Sequence, residues 1–182
     1  IGTKLTEACL AKGYAVTVLD RSAPRVTNAA LQSHVLDLVH DAIDPAWVSG
    51  SDAVINLAGV PIFGRFTKAY KQAILDSRIL STRALVTAMT NASAKPNAFI
   101  CASAVGYYGD THGTTAKEDY PAGSDFLAHV CEEWEHEARQ AERLGLRVVS
   151  IRTANVIGPG GLLSTLVPLF RKWIGGYFGS GT

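Results

Sequence analysis

Short apolar runs rich in β-branched residues alternate with stretches of helical periodicity along this chain, and that alternation restricts its fold more than any other feature. Residues 15–19, 33–36, 53–58, 98–102 and 147–151 read as strands. Leu5, Cys9 and Leu10 share one helix face ahead of Gly13, a residue type that ends helices. Thr67 is placed to cap a longer helix in which Leu75, Ile79, Val86 and Met89 recur at helical intervals. Ser124-Asp125 can cap a third, with Leu127, Val130, Trp134, Ala138 and Ala141 on one face and Gly145 just past its end. Strands and helices in this order pair in parallel through right-handed crossovers, with helices on both faces. The expected fold class is α/β, a doubly wound parallel sheet.

Ligands of such sheets bind outside the carboxyl ends of the strands. That directs attention to Asp20, Asp37, Gly59, Ser103 and Thr153. Asp20-Arg21-Ser22 closes the first run; an acid there suits a ribose 2′-hydroxyl, whereas Arg21 suits a 2′-phosphate, and a solvated charged turn accounts for the same residues. Ile55-Asn56-Leu57-Ala58-Gly59 ends a buried strand in small side chains, which admit a flat ligand close to the backbone and equally make a tight turn. Ser103 precedes Ala104-Val105-Gly106-Tyr107-Tyr108-Gly109; a strand-end hydroxyl can bond a substrate oxygen, although a lone serine there is more often a turn former. His129, Glu132, Glu133 and His136 share a helix, but Glu132, Glu135, Arg139 and Arg143 mark its polar face as solvated, so no metal site is expected. Residues 162–174, with Phe170 and Trp173, read as an internal helix of a second lobe rather than a membrane-surface helix.

Charge and composition narrow the partners. Seventeen Lys and Arg against sixteen Asp and Glu leave a net charge of +1, and the basic residues are dispersed, so no nucleic acid is expected. No apolar stretch reaches the ~18 residues of a membrane span, and no leader-like pattern is readable. Three cysteines without metal spacing, Cys9, Cys101 and Cys131, suit reduced thiols and a cytoplasmic location. Both ends look cut, since Ile1-Gly2 enters helical periodicity at once and residues 175–182 stop inside a glycine-rich loop.

Taken in order, Ile1-Gly2, Asp20-Arg21-Ser22, INLAG (55–59), SAVGYYGD (103–110), KED (117–119) and IRTANVIGPGG (151–161) resemble the extended short-chain dehydrogenase/reductase superfamily. PIFGRFTKAYKQAILDSR (61–78), ASAVGYYGD (102–110), DFLAHVCEEWE (125–135) and GGYFGSG (175–181) resemble, more narrowly, its sugar-nucleotide-epimerase-like branch, also labelled cell-division-inhibitor-like. The resemblance implies a Rossmann-type fold lacking its first strand here, with a preceding TGGTGF-like loop of which Gly2 is the third glycine. Residues 1–152 are then an N-terminally truncated NAD(P)-binding domain, and 153–182 begin a truncated C-terminal substrate lobe. Carried over by position, Gly2, Asp20, Arg21, Ser22, Asp37, Leu38, Leu57, Ala58, Gly59, Ala102 and Thr153 would contact the cofactor. Arg21 favours NADP, and Asp20 leaves NAD open.

The superfamily's Tyr-x-x-x-Lys pair falls on Leu127 and Cys131, and its helix asparagine falls on Arg78. Ser103, Arg78 and Tyr107, with Tyr108 as a second phenol, are the residues left to act as catalysts. The function expected is an oxidoreductase or epimerase with a degenerate catalytic pair, acting on a carbonyl or nucleotide-sugar-like small molecule. The alternative is a non-catalytic dinucleotide-binding regulator; a non-functional truncated piece is the third reading. By resemblance, helices 67–92 and 124–144 would pair two copies in a homodimer.

Overall fold

A computed structural model describes residues 1–158 and 161–176. The chain divides into two compact units, Ile1–Arg152 and Thr153–Thr182. The first contains α1 (Gly2–Ala11), β1 (Val16–Asp20), β2 (Leu31–Val35), β3 (Ala53–Asn56), α2 (Lys68–Asn91), β4 (Ala98–Ala104) and α3 (Phe126–Arg139), and it runs into β5 (Arg147–Thr153). The second holds α4 (Gly161–Arg171), with Pro168 inside it. The GGYFGSG stretch falls largely outside the described residues, as do Pro159 and Gly160.

The fold is α/β with parallel sheets. β1 pairs with β2 from Val16↔Leu31 to Asp20↔Val35, and β3 pairs with β4 from Ala53↔Ala98 to Asn56↔Cys101. Pairing divides into a β1-β2 sheet and a β3-β4-β5 sheet, so among the described residues β1 and β3 each have one bonded neighbour. Both sheets nevertheless lie on one core. Leu19 of β1 and Val54 of β3 pack against the same buried cluster of Leu85, Met89, Phe99, Cys101 and Trp134.

α2 starts as its sequence requires, with Thr67 Oγ1 accepting from the Tyr70 N–H at 3.2 Å. Its buried face differs from the expected one: Ile74, Leu85 and Met89 are buried, whereas Leu75, Ile79 and Val86 are only half-buried. Ser77, Ser81 and Thr82 occupy the centre of the buried face. Their hydroxyls donate to the carbonyls of Ile74, Ser77 and Arg78 (3.0, 2.7 and 2.6 Å), so these polar groups bury without losing a partner. At the other end Lys95 Nζ donates to the Thr90 and Ala92 carbonyls, which the helix leaves unpaired.

α3 is capped by Asp125, whose Oδ1 accepts from the Ala128 N–H at 2.9 Å. Val130, Trp134 and Ala138 are buried as their spacing implies. One expectation for this helix is corrected. Glu135, placed by its i,i+4 relation to Arg139 on a solvated face, is 3% exposed. Its partner is Arg152 on β5, a long-range pairing that the local pattern of the helix does not reveal.

Candidate functional site

The carboxyl ends of β3 and β4 meet α2 and α3 in one cluster of buried polar groups. Asn56, the last residue of β3, is 1% exposed. Its side chain donates to Thr82 Oγ1 at 2.9 Å and accepts from the Ala58 N–H at 3.0 Å. Trp134 Nε1 donates to the same Thr82 oxygen at 3.0 Å, so one threonine ties β3 to both helices. Cys101 lies beside them, and burial first of all pushes its thiol up to about 12. At neutral pH it is an inert thiol.

Beyond β3 the chain turns through Leu57, Ala58 and Gly59. The Val60 N–H donates to Ser77 Oγ at 3.0 Å, which fixes the turn against α2. Arg78 lies directly over Gly59: a Cβ there would stand 3.2 Å from the guanidinium carbon. A side chain at this position would make the guanidinium shift by a few tenths of an ångström. Arg78 NH1 donates to the Val60 and Ile74 carbonyls at 3.2 and 3.0 Å, and the guanidinium sits 5.1 Å from the Trp134 ring centre. Burial holds its pKa below the ordinary arginine value.

β4 alternates strictly, burying Phe99, Cys101 and Ser103. The strand runs to Ala104, two residues past its expected end, so Ser103 is an inward-facing strand residue, 2% exposed. Its hydroxyl donates to Glu135 Oε1 at 2.7 Å. Arg152 grips the same carboxylate with two parallel bonds, Nε to Oε1 at 2.8 Å and NH2 to Oε2 at 2.9 Å. Burial pushes the Glu135 carboxyl up, but the Arg152 and Ser103 hydrogen bonds and the charges of Arg152 and Arg139 together bring it below the usual carboxylate value. Arg152 is pushed up, chiefly by its hydrogen bonds to Glu135.

Arg152 also organises the tyrosines. NH1 donates to the Tyr108 hydroxyl at 3.0 Å, and the guanidinium lies 3.4 Å from the Tyr107 ring centre. The Tyr107 phenol makes no hydrogen bond among the described residues. The loop that carries both rings is pinned where Gly109 (φ +61°) meets Gly123, at which a Cβ would approach Gly109 to 2.8 Å. The Gly123 N–H donates to the Tyr107 carbonyl at 2.8 Å.

Cys131 is buried on α3, close enough to Ser103, the Ala104 backbone and Arg78 to feel all three. Burial pushes its thiol up, with those contacts opposing. Leu127, one turn earlier, packs against Gly106. The structure therefore brings Ser103, Arg78, Cys131 and the Arg152–tyrosine group together. Sequence reasoning missed Asn56, Thr82 and Arg152; Asn56, a polar residue inside an apolar strand, was the readable signal.

The remaining candidates lie around the β1 and β2 ends. Gly2 opens α1, whose first turn has no side-chain cap, and nothing stands within 4 Å of where a side chain would begin. Asp20, Arg21 and Ser22 are exposed. Asp37 is folded into its own turn, with Oδ1 accepting from the Val39 N–H at 2.9 Å, and Leu38 packs on the core. Leu57 is 37% exposed. Ala102 packs against the core from the opposite face to Ser103, and Thr153 closes β5 and opens the second unit.

The profile of the NAD dependent epimerase/dehydratase family matches residues 1–175. The chain belongs to that family. Epimerase family protein SDR39U1 homolog, chloroplastic, of Arabidopsis thaliana is 38% identical over 187 residues, covering all of this chain and 53% of the relative. Epimerase family protein YfhF of Bacillus subtilis (strain 168) is 36% identical over 182 residues, covering all of this chain and 60% of the relative. The crystal structure of human epimerase family protein SDR39U1 (isoform2) with NADPH is similar over 99% of this chain and 59% of that one, with TM-score 0.78 and 28% identity. UDP-galactose 4-epimerase, at 24% identity and TM-score 0.74, shares the fold. The chain thus spans between half and two-thirds of the length of the proteins it matches. Among the described residues no helix is long and apolar enough to cross a membrane, and no cluster could hold a metal ion.

Proposed function

We propose that this chain is the dinucleotide-binding part of an NAD(P)-dependent oxidoreductase or epimerase acting on a small carbonyl or nucleotide-sugar-like substrate. The observation that carries the reading is the likeness, along nearly the whole chain, to a human relative whose structure is with NADPH. The residues present fit such a cofactor. An uncapped α1 N-terminus with open space at Gly2 suits a pyrophosphate, and exposed Arg21 suits a 2′-phosphate, which favours NADP over NAD. A parallel strand between β1 and β3 would satisfy both unpaired edges and give the order of the doubly wound dinucleotide fold.

Bound NAD(P) would supply or accept a hydride. This chain would place the substrate at the β3 and β4 ends, with Ser103, Arg78 and Tyr107 as the acting groups. The Ser103 hydroxyl donates to Glu135 and interacts with Cys131, so it would act by exchanging one of these partners for a substrate oxygen. Arg78 brings positive charge. Tyr107, whose phenol is unengaged where that of Tyr108 is held by Arg152, would give or take the proton.

The test is NADPH binding and oxidation by the full-length protein across a panel of carbonyl compounds. Turnover that falls at least about tenfold in both Tyr107→Phe and Ser103→Ala supports the reading. Leu127 and Cys131, at the superfamily's acid/base and lysine positions, favour a second reading, a non-catalytic cofactor-binding regulator. Saturable NADPH binding without turnover on any compound would establish it. A homodimer through α2 and α3 belongs to the same proposal, and light scattering of the full-length protein decides it.

A further inference from the structure

Three arginines of the first unit can be compared atom by atom. Arg83 holds Glu137 with Nε (3.1 Å) and NH2 (2.8 Å). Arg152 holds Glu135 with the same two nitrogens, at 2.8 and 2.9 Å. In both, the edge formed by Nε and NH2 grips the two oxygens of one carboxylate, the side-on geometry that a planar guanidinium favours. Arg78 differs. Its hydrogen bonds all come from NH1, to the Val60 and Ile74 carbonyls and to Ser77 Oγ (3.2, 3.0 and 3.4 Å). The Nε and NH2 edge has no partner among the described residues, and no carboxylate pairs with this cation.

A guanidinium partly withdrawn from water is stabilised by a counter-charge or by further acceptors. The neighbours do not provide a charge. Gly59 offers backbone, Trp134 offers a ring face, and Cys131 is a neutral thiol whose burial disfavours the thiolate. Arg78 lies over Gly59 in the turn that follows β3, and ligands of parallel sheets bind outside the carboxyl ends of the strands. NH1 donates to two backbone carbonyls, with Ser77 Oγ at 3.4 Å beside them, which restrains the guanidinium before any ligand arrives. Preorganisation of that kind reduces what binding costs.

We propose that the Nε–NH2 edge of Arg78 receives a carboxylate of the substrate, so that this site acts on carboxylate-bearing small molecules. The inference rests on the functional reading above and adds the substrate class to it. A carboxylate fits the fork with two parallel bonds, as Glu137 and Glu135 do at Arg83 and Arg152. A phosphate also fits this fork; carboxylate is assigned because the same edge of Arg83 and Arg152 takes a carboxylate in this chain, and a neutral amide would supply one acceptor in place of two.

The test uses the full-length protein saturated with NADPH, with acetate, pyruvate and succinate as probes, acetamide as the neutral isostere and inorganic phosphate as the competing anion. Calorimetry reads affinity, and the Arg78 Nε–H resonance reads engagement of the edge itself. The expected result is carboxylate binding that shifts the Arg78 resonance, absent with acetamide and weaker with phosphate. Arg78→Met should weaken it at least about tenfold. Arg78→Lys, which keeps the charge and loses the fork, should also weaken it, and it serves if the Met variant does not fold. NADPH affinity should change less than about threefold in either variant. Carboxylates that bind equally well to wild type and Arg78→Lys, or that leave the resonance unmoved, overturn the inference while the cofactor reading stands. A preference for phosphate overturns the carboxylate assignment, and so does a loss of NADPH affinity in Arg78→Met, which would give the edge to the cofactor. Failure of the wild type to bind NADPH is the separate failure of the underlying reading.

Discussion

The β1–β2 region and the β3–β4–β5 region use the same kinds of residue to opposite effect. At the β1 end, Asp20, Arg21 and Ser22 stand in solvent without a salt bridge among the described residues. At the β4 and β5 ends, Ser103, Glu135 and Arg152 are withdrawn from water and satisfied by one another. The first arrangement leaves charge available to a ligand, and the second spends it on holding α3 against the sheet. A strand-end serine or carboxylate is therefore not by itself a reactive group. What distinguishes the two is whether the hydrogen-bonding capacity has already been used, and Arg78 lies between these extremes, bonded through one nitrogen and without a partner among the described residues on the other edge.

The largest test of this contrast removes the cation that closes the inner network. Arg152→Met leaves the buried Glu135 with only Ser103 and the more distant Arg139 and should cost about 3 kcal/mol in urea denaturation of the full-length protein. A loss below about 1 kcal/mol would mean that the pair behaves as a surface bridge. Next in size is Thr82→Val, which strands the Asn56 amide and the Trp134 N–H at once and should cost about 1–3 kcal/mol.

Acid should reach the inner region through Glu135. Its folded pKa lies below the unfolded value of about 4.3, so its contribution to stability is fully present above that pH and disappears as pH falls through the folded value. Glu135→Gln should flatten this acid limb in thermal melts between about pH 5 and pH 2. An unchanged limb would place the acid sensitivity elsewhere. The smallest effect on stability belongs to the outer region: Arg21→Ala should change it by less than about 0.5 kcal/mol, since the side chain is exposed and has no salt bridge among the described residues.

Much of the first unit was legible in the sequence because its signals are local. Alternating periods gave five strands and the main helices, and Thr67 and Asp125 cap where cap residues are expected. The inner network was not legible, because its partners are distant along the chain. Glu135 and Arg139 satisfy the surface i,i+4 pattern, while the arginine that takes the carboxylate lies seventeen positions away on β5. Ser103 was readable in part. Its parity with Phe99 and Cys101 points inward, but ending the strand at residue 102 turned it into a loop residue. The exposed triplet at Asp20 carries no packing information at all, so its role depends on the family.

Cofactor binding is the claim on which the rest depends, and equilibrium titration of the full-length protein with NADPH and NADH tests it most directly. The account predicts saturable NADPH binding that Arg21→Ala weakens about tenfold while NADH affinity stays unchanged, as expected for loss of a 2′-phosphate contact. No saturable binding of either dinucleotide would contradict it.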